Sequence, residues 1–205
     1  MRTLRSVFNQ RGFTLAELLV VTALVGLVMA GVLSLLMSSN QSYQRGTNQV
    51  EAQQAARVAI ARMAQEIREA GYNPSTATTF NPVISFSATG LTIQNDWNAN
   101  GAIDNTITVT DPVKGTPRGE QVIYALSGTN LTRRETGVDG TPQVLISGVQ
   151  TLAFEYLDIT DTVTATAANI RTVVMTATVS QFTGPTAAIN PARVVLTNRI
   201  RLRNK

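Results

Sequence analysis

The feature that most constrains this chain is an apolar run near its N-terminus, FTLAELLVVTALVGLVMAGVLSLLM, which spans residues 13–37 and carries a single charge. At about 1.5 Å per residue, a helix of this length exceeds the roughly 30 Å hydrocarbon core of a bilayer. The run can therefore cross a membrane. Arg2, Arg5 and Arg11 precede it with no acid beside them. The positive-inside tendency thus predicts a cytoplasmic N-terminus and a translocated remainder after about Ser38.

A secretory signal peptide and an uncleaved membrane anchor are two other interpretations of this run. A signal peptide has a shorter apolar region of about 7–15 residues and ends in a small-residue cleavage site, and no A-x-A boundary follows here. A plain anchor does not explain Glu17, because an acid costs about 2.5–3.5 kcal/mol at the centre of a membrane span. Glu17 therefore requires a partner or a function.

The residues around this acid form a specific motif, Arg11-Gly12-Phe13-Thr14-Leu15-Ala16-Glu17-Leu18-Leu19-Val20. The motif resembles the cleavage and N-methylation site of type IV prepilins and type II secretion pseudopilins, with a basic leader, Gly, Phe and a Glu at the fifth mature position. The resemblance implies that a membrane prepilin peptidase cuts after Gly12 and methylates the new amine of Phe13. Glycine before the bond has no Cβ to obstruct a backbone-level active site.

The resemblance also implies that Glu17 acts in filament assembly. Cleavage creates a cationic amine on Phe13, and a carboxylate in the low-dielectric bundle of a neighbouring subunit can neutralise it. The implied partners are the prepilin peptidase and N-methyltransferase, other major and minor pilins through the N-terminal helix, and the inner membrane before assembly. We expect a single-pass inner-membrane protein that later joins a pilus or pseudopilus in the periplasm or at the cell surface.

A second helical pattern occupies residues 51–70. Its small and apolar side chains recur on one helix face, at Ala52, Ala56, Ala59, Ile60, Met63, Ile67 and Ala70. Gly71 and the following Pro74 are typical of a helix C-terminus. These features predict one long helix over about 13–70, whose second half packs on a domain.

From residue 80 onward, short runs rich in Val, Ile, Thr, Phe and Tyr alternate with Gly, Asn, Asp and Pro, as in strands and turns. The predicted strands are 83–88, 91–94, 106–110, 121–126, 130–134, 143–146, 151–158, 170–181 and 193–203. Short connections containing Gly predict that the first two strands, and also the fourth and fifth, form hairpins. The expected fold is α+β, a pilin-like ladle in which the long helix packs on a mainly antiparallel sheet.

The predicted organisation has four parts: a cleaved leader at 1–12, a transmembrane and filament-core helix at 13–37, its amphipathic continuation at 38–71, and a β-rich domain at 72–205. In the last strand Arg199, Arg201 and Arg203 alternate with apolar residues. We interpret this arginine face as solvated or as protecting a sheet edge.

Local features of the β-rich domain resemble the PilW family of minor pilins, which is similar to the J-class minor pseudopilins. They are the runs 121–126 and 131–133, the segment 152–156 and the ending 201–204.

A loop in the β-rich domain has the spacing of a calcium site. In the segment DWNANGAID, at residues 96–104, oxygen side chains occupy positions 1, 3, 5 and 9 and Gly occupies position 6. Position 12, where a bidentate acid belongs, is Ile107. The predicted Ca²⁺ ligands are Asp96, Asn98, Asn100, the Ala102 carbonyl, Asp104 and, as distal ligand, Glu120. The affinity expected from so few acids is about 10⁻⁴–10⁻³ M; the alternative is an ordinary turn with Asx geometry.

Composition excludes several classes of function. The chain has no cysteine and no histidine, which removes disulfides, thiolate metal sites and the commonest general base. No nucleophile elbow or phosphate-binding glycine loop is present, so we expect neither an enzyme nor an organic cofactor. The formal net charge is +4, but most of this excess lies in the leader arginines and does not indicate nucleic-acid binding.

The leading functional prediction is a minor pilin that primes, assembles or caps a type IV pilus. One alternative is a minor pseudopilin of a type II secretion system. Another is an adhesive module at a pilus tip, for which residues 95–105 and 111–119 would form the binding surfaces.

Overall fold

The computed structural model describes residues 12–75, 78–106, 108–111, 115–180 and 193–205. The chain divides into two compact units, Met1–Gly46 and Thr47–Lys205. Most of the predicted leader, together with Ile107 and Gln181, lies outside the described residues.

One helix, α1, extends over Leu15–Glu69 and confirms the long helix predicted from the sequence. Within the first unit, residues 15–46 of this helix are exposed along their whole length, including the large apolar side chains. The helix contains a stretch that is long and apolar enough to cross a membrane. An exposed surface of this composition suits lipid or the apolar faces of other helices.

The C-terminal part of α1 buries one face in the second unit. Every member of the predicted stripe is buried: Ala52, Ala56, Ala59, Ile60, Met63, Ile67 and Ala70. Gly71 ends this segment with φ of +82°, and a Cβ added there would lie 2.6 Å from Cγ of Pro82. Its N–H donates to the Gln94 carbonyl at 2.9 Å, so the helix end is fixed to a strand by a residue that only glycine suits.

The described residues of the second unit contain ten strands and one short 3-10 helix. They are β1 Val83–Phe86, β2 Gly90–Gln94, β3 Val109–Thr110, β4 Pro117–Arg118, β5 Gln121–Ser127, β6 Asn130–Glu135, β7 Gln143–Ser147, β8 Val149–Leu157, the 3-10 helix Ala167–Asn169, β9 Thr172–Ser180 and β10 Arg193–Arg201. Their order is β1-β2-β5-β6-β7 in one sheet, β10-β9-β8 in a second and β3-β4 in a third. All strand pairings are antiparallel, which confirms the α+β prediction.

The observed strands follow the predicted ones, with most ends shifted by one or two residues. Both predicted hairpins form, as β1-β2 and β5-β6. The predicted strand 106–110 is reduced to β3, and its partner β4 was not predicted. β4 holds two residues, one of them Pro117, and so has neither the length nor the alternation that marks a strand. β8 begins earlier than predicted because Val149 pairs with Val179 across a bulge.

One core joins α1 to both larger sheets. The stripe of α1 packs with residues of the five-stranded sheet, such as Tyr124 and Leu131, and of the three-stranded sheet, such as Met175. Tyr156 of β8 also connects the two sheets, because its hydroxyl donates to the Ser87 and Gly90 carbonyls, both at 3.0 Å. Burial on several sides thus fixes the second half of α1 in the domain.

The last strand, β10, lies at an edge of the three-stranded sheet. Arg199, Arg201 and Arg203 are exposed, while Ile200 and Leu202 between them are buried. Arg199 forms an ion pair with Asp161. The arginine face is therefore solvated at a sheet edge, as predicted.

A network of buried charges links α1 to the five-stranded sheet. The Arg133 guanidinium on β6 donates to Glu66 of α1 at 2.9 Å and to Glu135 at 2.5 Å, and the Tyr124 hydroxyl also donates to Glu66. Burial opposes ionisation of Glu66, but the hydrogen bonds from Arg133 and Tyr124 outweigh it and hold the pKa of Glu66 below its ordinary value. The network therefore keeps its charges matched inside the fold.

Arg133→Ala should lower the free energy of unfolding by about 3–5 kcal/mol, because it leaves buried carboxylates without their cation. Arg62 is the matched control, since it binds the same carboxylate of Glu66 at 3.1 Å but has a side chain 53% exposed, against 6% for Arg133. Arg62→Ala should cost at most about 1 kcal/mol. Denaturant unfolding of both variants in detergent measures the two losses, and equal losses would contradict this account of the network.

Candidate functional site

The predicted processing site lies just before α1. Gly12 and Phe13 are exposed, Phe13 by 87%, and Leu15 begins the helix. A Cβ added at Gly12 would meet nothing within 4 Å. The peptide bond between Gly12 and Phe13 is thus accessible in a segment without helical hydrogen bonds.

Glu17 has a partner within its own chain. Both the N–H and the hydroxyl of Thr14 donate to Glu17 Oε2 at 2.9 Å, and the Glu17 N–H donates to the Thr14 hydroxyl at 3.2 Å. This is a capping box, in which Thr and Glu three residues apart satisfy N–H groups at the start of a helix. The carboxylate also lies at the positive end of the helix dipole. Sequence reasoning missed this role, although T-x-x-E before an apolar run is its signal.

The predicted metal-binding loop lies between β2 and β3, and the structure brings Glu120 into it. Glu120 precedes β5, and its Oε1 accepts the Trp97 N–H at 2.8 Å while its Oε2 accepts the Asp104 N–H at 2.7 Å. Asp96 Oδ2 accepts the Gly101 N–H at 2.9 Å. Both acids, Asp96 and Glu120, are fully buried.

The other predicted ligands lie nearer the surface of the loop. Asn98 and Asn100 donate their side-chain amides to Asp104 Oδ2 at 3.2 and 3.1 Å. Their Oδ1 atoms accept the N–H groups of Asn100 and Ala102 at 3.0 and 2.8 Å. This is the Asx geometry expected of the alternative interpretation as a turn. In the described part of the chain, no three His, Cys, Asp or Glu side chains are grouped so that they could hold one ion.

The electrostatics of the loop are unusual for a turn. Burial raises the pKa of Glu120, the charge of Asp96 raises it further, and the N–H groups of Asp104 and Trp97 oppose the shift. Asp96 Oδ1 is buried without a hydrogen-bond partner among the described residues. Two buried carboxylates therefore accept N–H groups of the same short loop.

The Trp97 ring, next to Asp96 in the sequence, contacts an aromatic ring and a cation. The Trp97 ring stacks on Tyr72 at 5.1 Å between centroids, and the Arg118 guanidinium lies 4.3 Å from the Trp97 ring centre. Arg118 also forms ion pairs with Asp111 and Glu135. This cation is thus held by other groups of the β4–β6 region.

The comparison with protein families decides the class of the N-terminal segment. Residues 7–33 match the family model described as a prokaryotic N-terminal methylation motif. The N-terminal segment is that of a type IV pilin-like protein. The match includes Gly12, Phe13 and Glu17, the residues that the sequence singled out for processing and assembly.

Comparisons over the whole chain give a likeness to solved structures. The comparison with curated proteins gives no match. The chain is similar to the type IV-like pilin TTHA1219 from Thermus thermophilus, with 11% identity and a TM-score of 0.44 over 74% of this chain and 96% of that chain.

Gly119→Ala tests how the domain positions Glu120. A Cβ at Gly119 would lie 1.8 Å from the Thr136 carbonyl oxygen, so the junction before β5 must move and carry the adjacent Glu120 with it. We expect a loss of about 1–3 kcal/mol, measured as a melting temperature about 2–12 °C lower. At Gly140 an added Cβ meets nothing within 4 Å, so Gly140→Ala is the control. A Gly119→Ala melt equal to that of the control would contradict the prediction.

Proposed function

We propose that this chain is a minor pilin-like structural subunit, processed by prepilin peptidase, that takes part in priming, assembling or capping a type IV pilus. The single observation that carries the proposal is the methylation motif matched over residues 7–33. The motif leads directly into α1, whose exposed apolar part suits first a membrane and then the helical interior of a filament. The second half of the same helix belongs to the core of a folded domain, which the filament would display.

Processing acts on the accessible segment before α1. Hydrolysis of the bond after Gly12 releases the leader and leaves an amine on Phe13, which methylation keeps cationic. Before cleavage, the leader arginines hold the N-terminus in the cytoplasm and the domain is translocated. After cleavage, the subunit passes from the inner membrane into the filament.

The capping box supports a double role for Glu17. The side-chain hydrogen bonds that Glu17 accepts from Thr14 both end on Oε2. The other oxygen, Oε1, is then the atom that would pair with the Phe13 amine of a neighbouring subunit. In the apolar interior of a bundle such a pair is much stronger than in water, so one carboxylate would start the helix and set the register between subunits.

The mature protein should begin at N-methylated Phe13, as measured by mass spectrometry of the protein from its native host. Gly12→Val should remain uncleaved, because a branched side chain obstructs a peptidase that approaches the backbone. Gly31→Ala is the control, since an added Cβ there meets nothing within 4 Å, and it should be processed normally. A mature protein that retains Met1, or that begins after residue 37, would refute the proposal.

Three variants separate the two roles of Glu17. Glu17→Gln keeps a side chain that can cap the helix but removes the charge, Glu17→Ala removes both, and Thr14→Val removes the hydroxyl while keeping the carboxylate. All three should be cleaved and inserted. Both Glu17 variants should fall at least about tenfold in sheared filaments, the equivalent of about 1.4 kcal/mol of lost pairing, while Thr14→Val is retained. Normal recovery of Glu17→Gln with loss of Thr14→Val would show that Glu17 serves only as a cap.

A further inference from the structure

We propose that the loop between β2 and β3 is a calcium site in which Asp96 and Glu120 supply the carboxylates and exposed amide oxygens complete the coordination. The observation that carries this is a buried oxygen, Asp96 Oδ1, which has no hydrogen-bond partner among the described residues. A second fully buried acid, Glu120, accepts the N–H of Trp97, the residue next to Asp96, at 2.8 Å. Buried charges in proteins are normally paired with an opposite charge or bound to a metal.

The protein offers these two acids little positive charge of its own. None of the ion pairs among the described residues includes Asp96 or Glu120. Arg118 comes near through the Trp97 ring, but its guanidinium pairs with Asp111 and Glu135. This contrasts with Arg133, which matches its buried acids within the same domain. A bound divalent cation would complete the balance at Asp96 and Glu120.

The asparagines are oriented so that they can contribute oxygens. Asn98 and Asn100 both direct their Nδ2 donors to Asp104 Oδ2. Each Oδ1 then accepts one backbone N–H and keeps a second lone pair. Asp104 is therefore assigned the role of orienting the two amides, and the ligands proposed are Asp96 Oδ1, Glu120, the two Oδ1 atoms and the Ala102 carbonyl.

This donor set selects calcium among common ions. It consists of oxygen atoms alone and mixes carboxylate, amide and carbonyl groups, which Ca²⁺ accepts with six to eight ligands in flexible geometry. Magnesium requires a stricter octahedron and keeps most of its water. The absence of histidine and cysteine from the chain removes the ligands that zinc prefers. Two carboxylates predict a weak site, with Kd of about 10⁻⁴–10⁻³ M.

The ion would lie where three chain segments meet. The loop carbonyl of Gly101 accepts the Thr78 hydroxyl at 2.7 Å, and the Asp96 N–H donates to the Tyr72 carbonyl at 2.8 Å. Glu120 brings in the start of β5. Calcium would thus fasten the segment that leaves α1 to the loop and to the central strand of the five-stranded sheet.

The full-length protein in detergent, stripped of metal with a chelator, provides the test. Trp97 is the one tryptophan of the chain, so its fluorescence reports on this loop alone, and it should also sensitise the luminescence of bound Tb³⁺. Calcium should change Trp97 fluorescence saturably at about 10⁻⁴–10⁻³ M, displace Tb³⁺, and raise the melting temperature by about 3–6 °C at about ten times Kd. Equal concentrations of magnesium should produce none of these three effects.

Two variants and a matched control assign the response to these residues. Asp96→Asn and Glu120→Gln should lose the calcium response. Asp158→Asn should keep it, because Asp158 accepts the N–H groups of Thr160 and Thr162 at 2.7 and 3.1 Å in a similar turn but at an exposed site without a second buried acid.

The wild-type titration alone can overturn the proposal, even if a variant fails to fold. Absence of any fluorescence, terbium or melting response up to about 10 mM calcium, well above the expected Kd, would overturn it. So would a full response in folded Asp96→Asn. A metal-free Glu120→Gln that is more stable than the wild type, together with no calcium response in the wild type, would show instead that the Glu120 carboxylate is an uncompensated cost to the fold.

Discussion

The structure depends on one helix satisfying two different surroundings with a single uninterrupted ladder of backbone hydrogen bonds. In residues 15–46 the apolar side chains point outward on all sides, which suits lipid or neighbouring helices and not water. From Ala52 to Ala70 the apolar side chains narrow to one stripe that is buried in the β domain. The proposed function follows from this division, since the first part would supply the anchor and filament contact and the second attaches a folded domain to it.

The domain treats its buried charges in two ways. Around Arg133 each carboxylate has a guanidinium or hydroxyl donor, and the network joins α1 to β5 and β6. Around Asp96 and Glu120 the donors are backbone N–H groups, which share the negative charge without cancelling it. Residues of the same chemical type thus hold the fold together in one place and leave an unmatched charge in another. The unmatched pair is the more informative for function, because structural stability alone does not explain it.

Periodicity explains which parts of the fold could be predicted from the sequence. The stripe from Ala52 to Ala70 repeats with the helical period and is bounded by Gly71, so its burial follows from local pattern. The β1-β2 and β5-β6 hairpins have short turns between alternating strands and were equally predictable. The division into three sheets and the short strand β4 were not, because they depend on distant pairings that leave no local period.

The candidate sites show the same limit. Gly12, Phe13 and Glu17 lie in one contiguous motif, so the motif that predicts a processing site could be recognised without a structure. The capping hydrogen bonds of Thr14 also follow from the local sequence, because Thr14 and Glu17 are three residues apart. The partner that the motif implies for Glu17 lies instead in another subunit. Glu120 is predicted as the distal ligand of the loop from its place in the chain. Its hydrogen bonds to the N–H groups of Trp97 and Asp104 form only once β4 and β5 have folded.

The attachment of the stripe has a mechanical consequence. The buried side chains from Ala52 to Ile67 are distributed along about four turns of α1, and Glu66 is joined to Arg133 near the end of that row. A pull along the helix axis would load all of these contacts in parallel, as shear, and not one after another, as in peeling. A domain held in this way resists tension through the simultaneous sliding of many small contacts, which would suit the proposed filament subunit, pulled by its neighbours through the same helix.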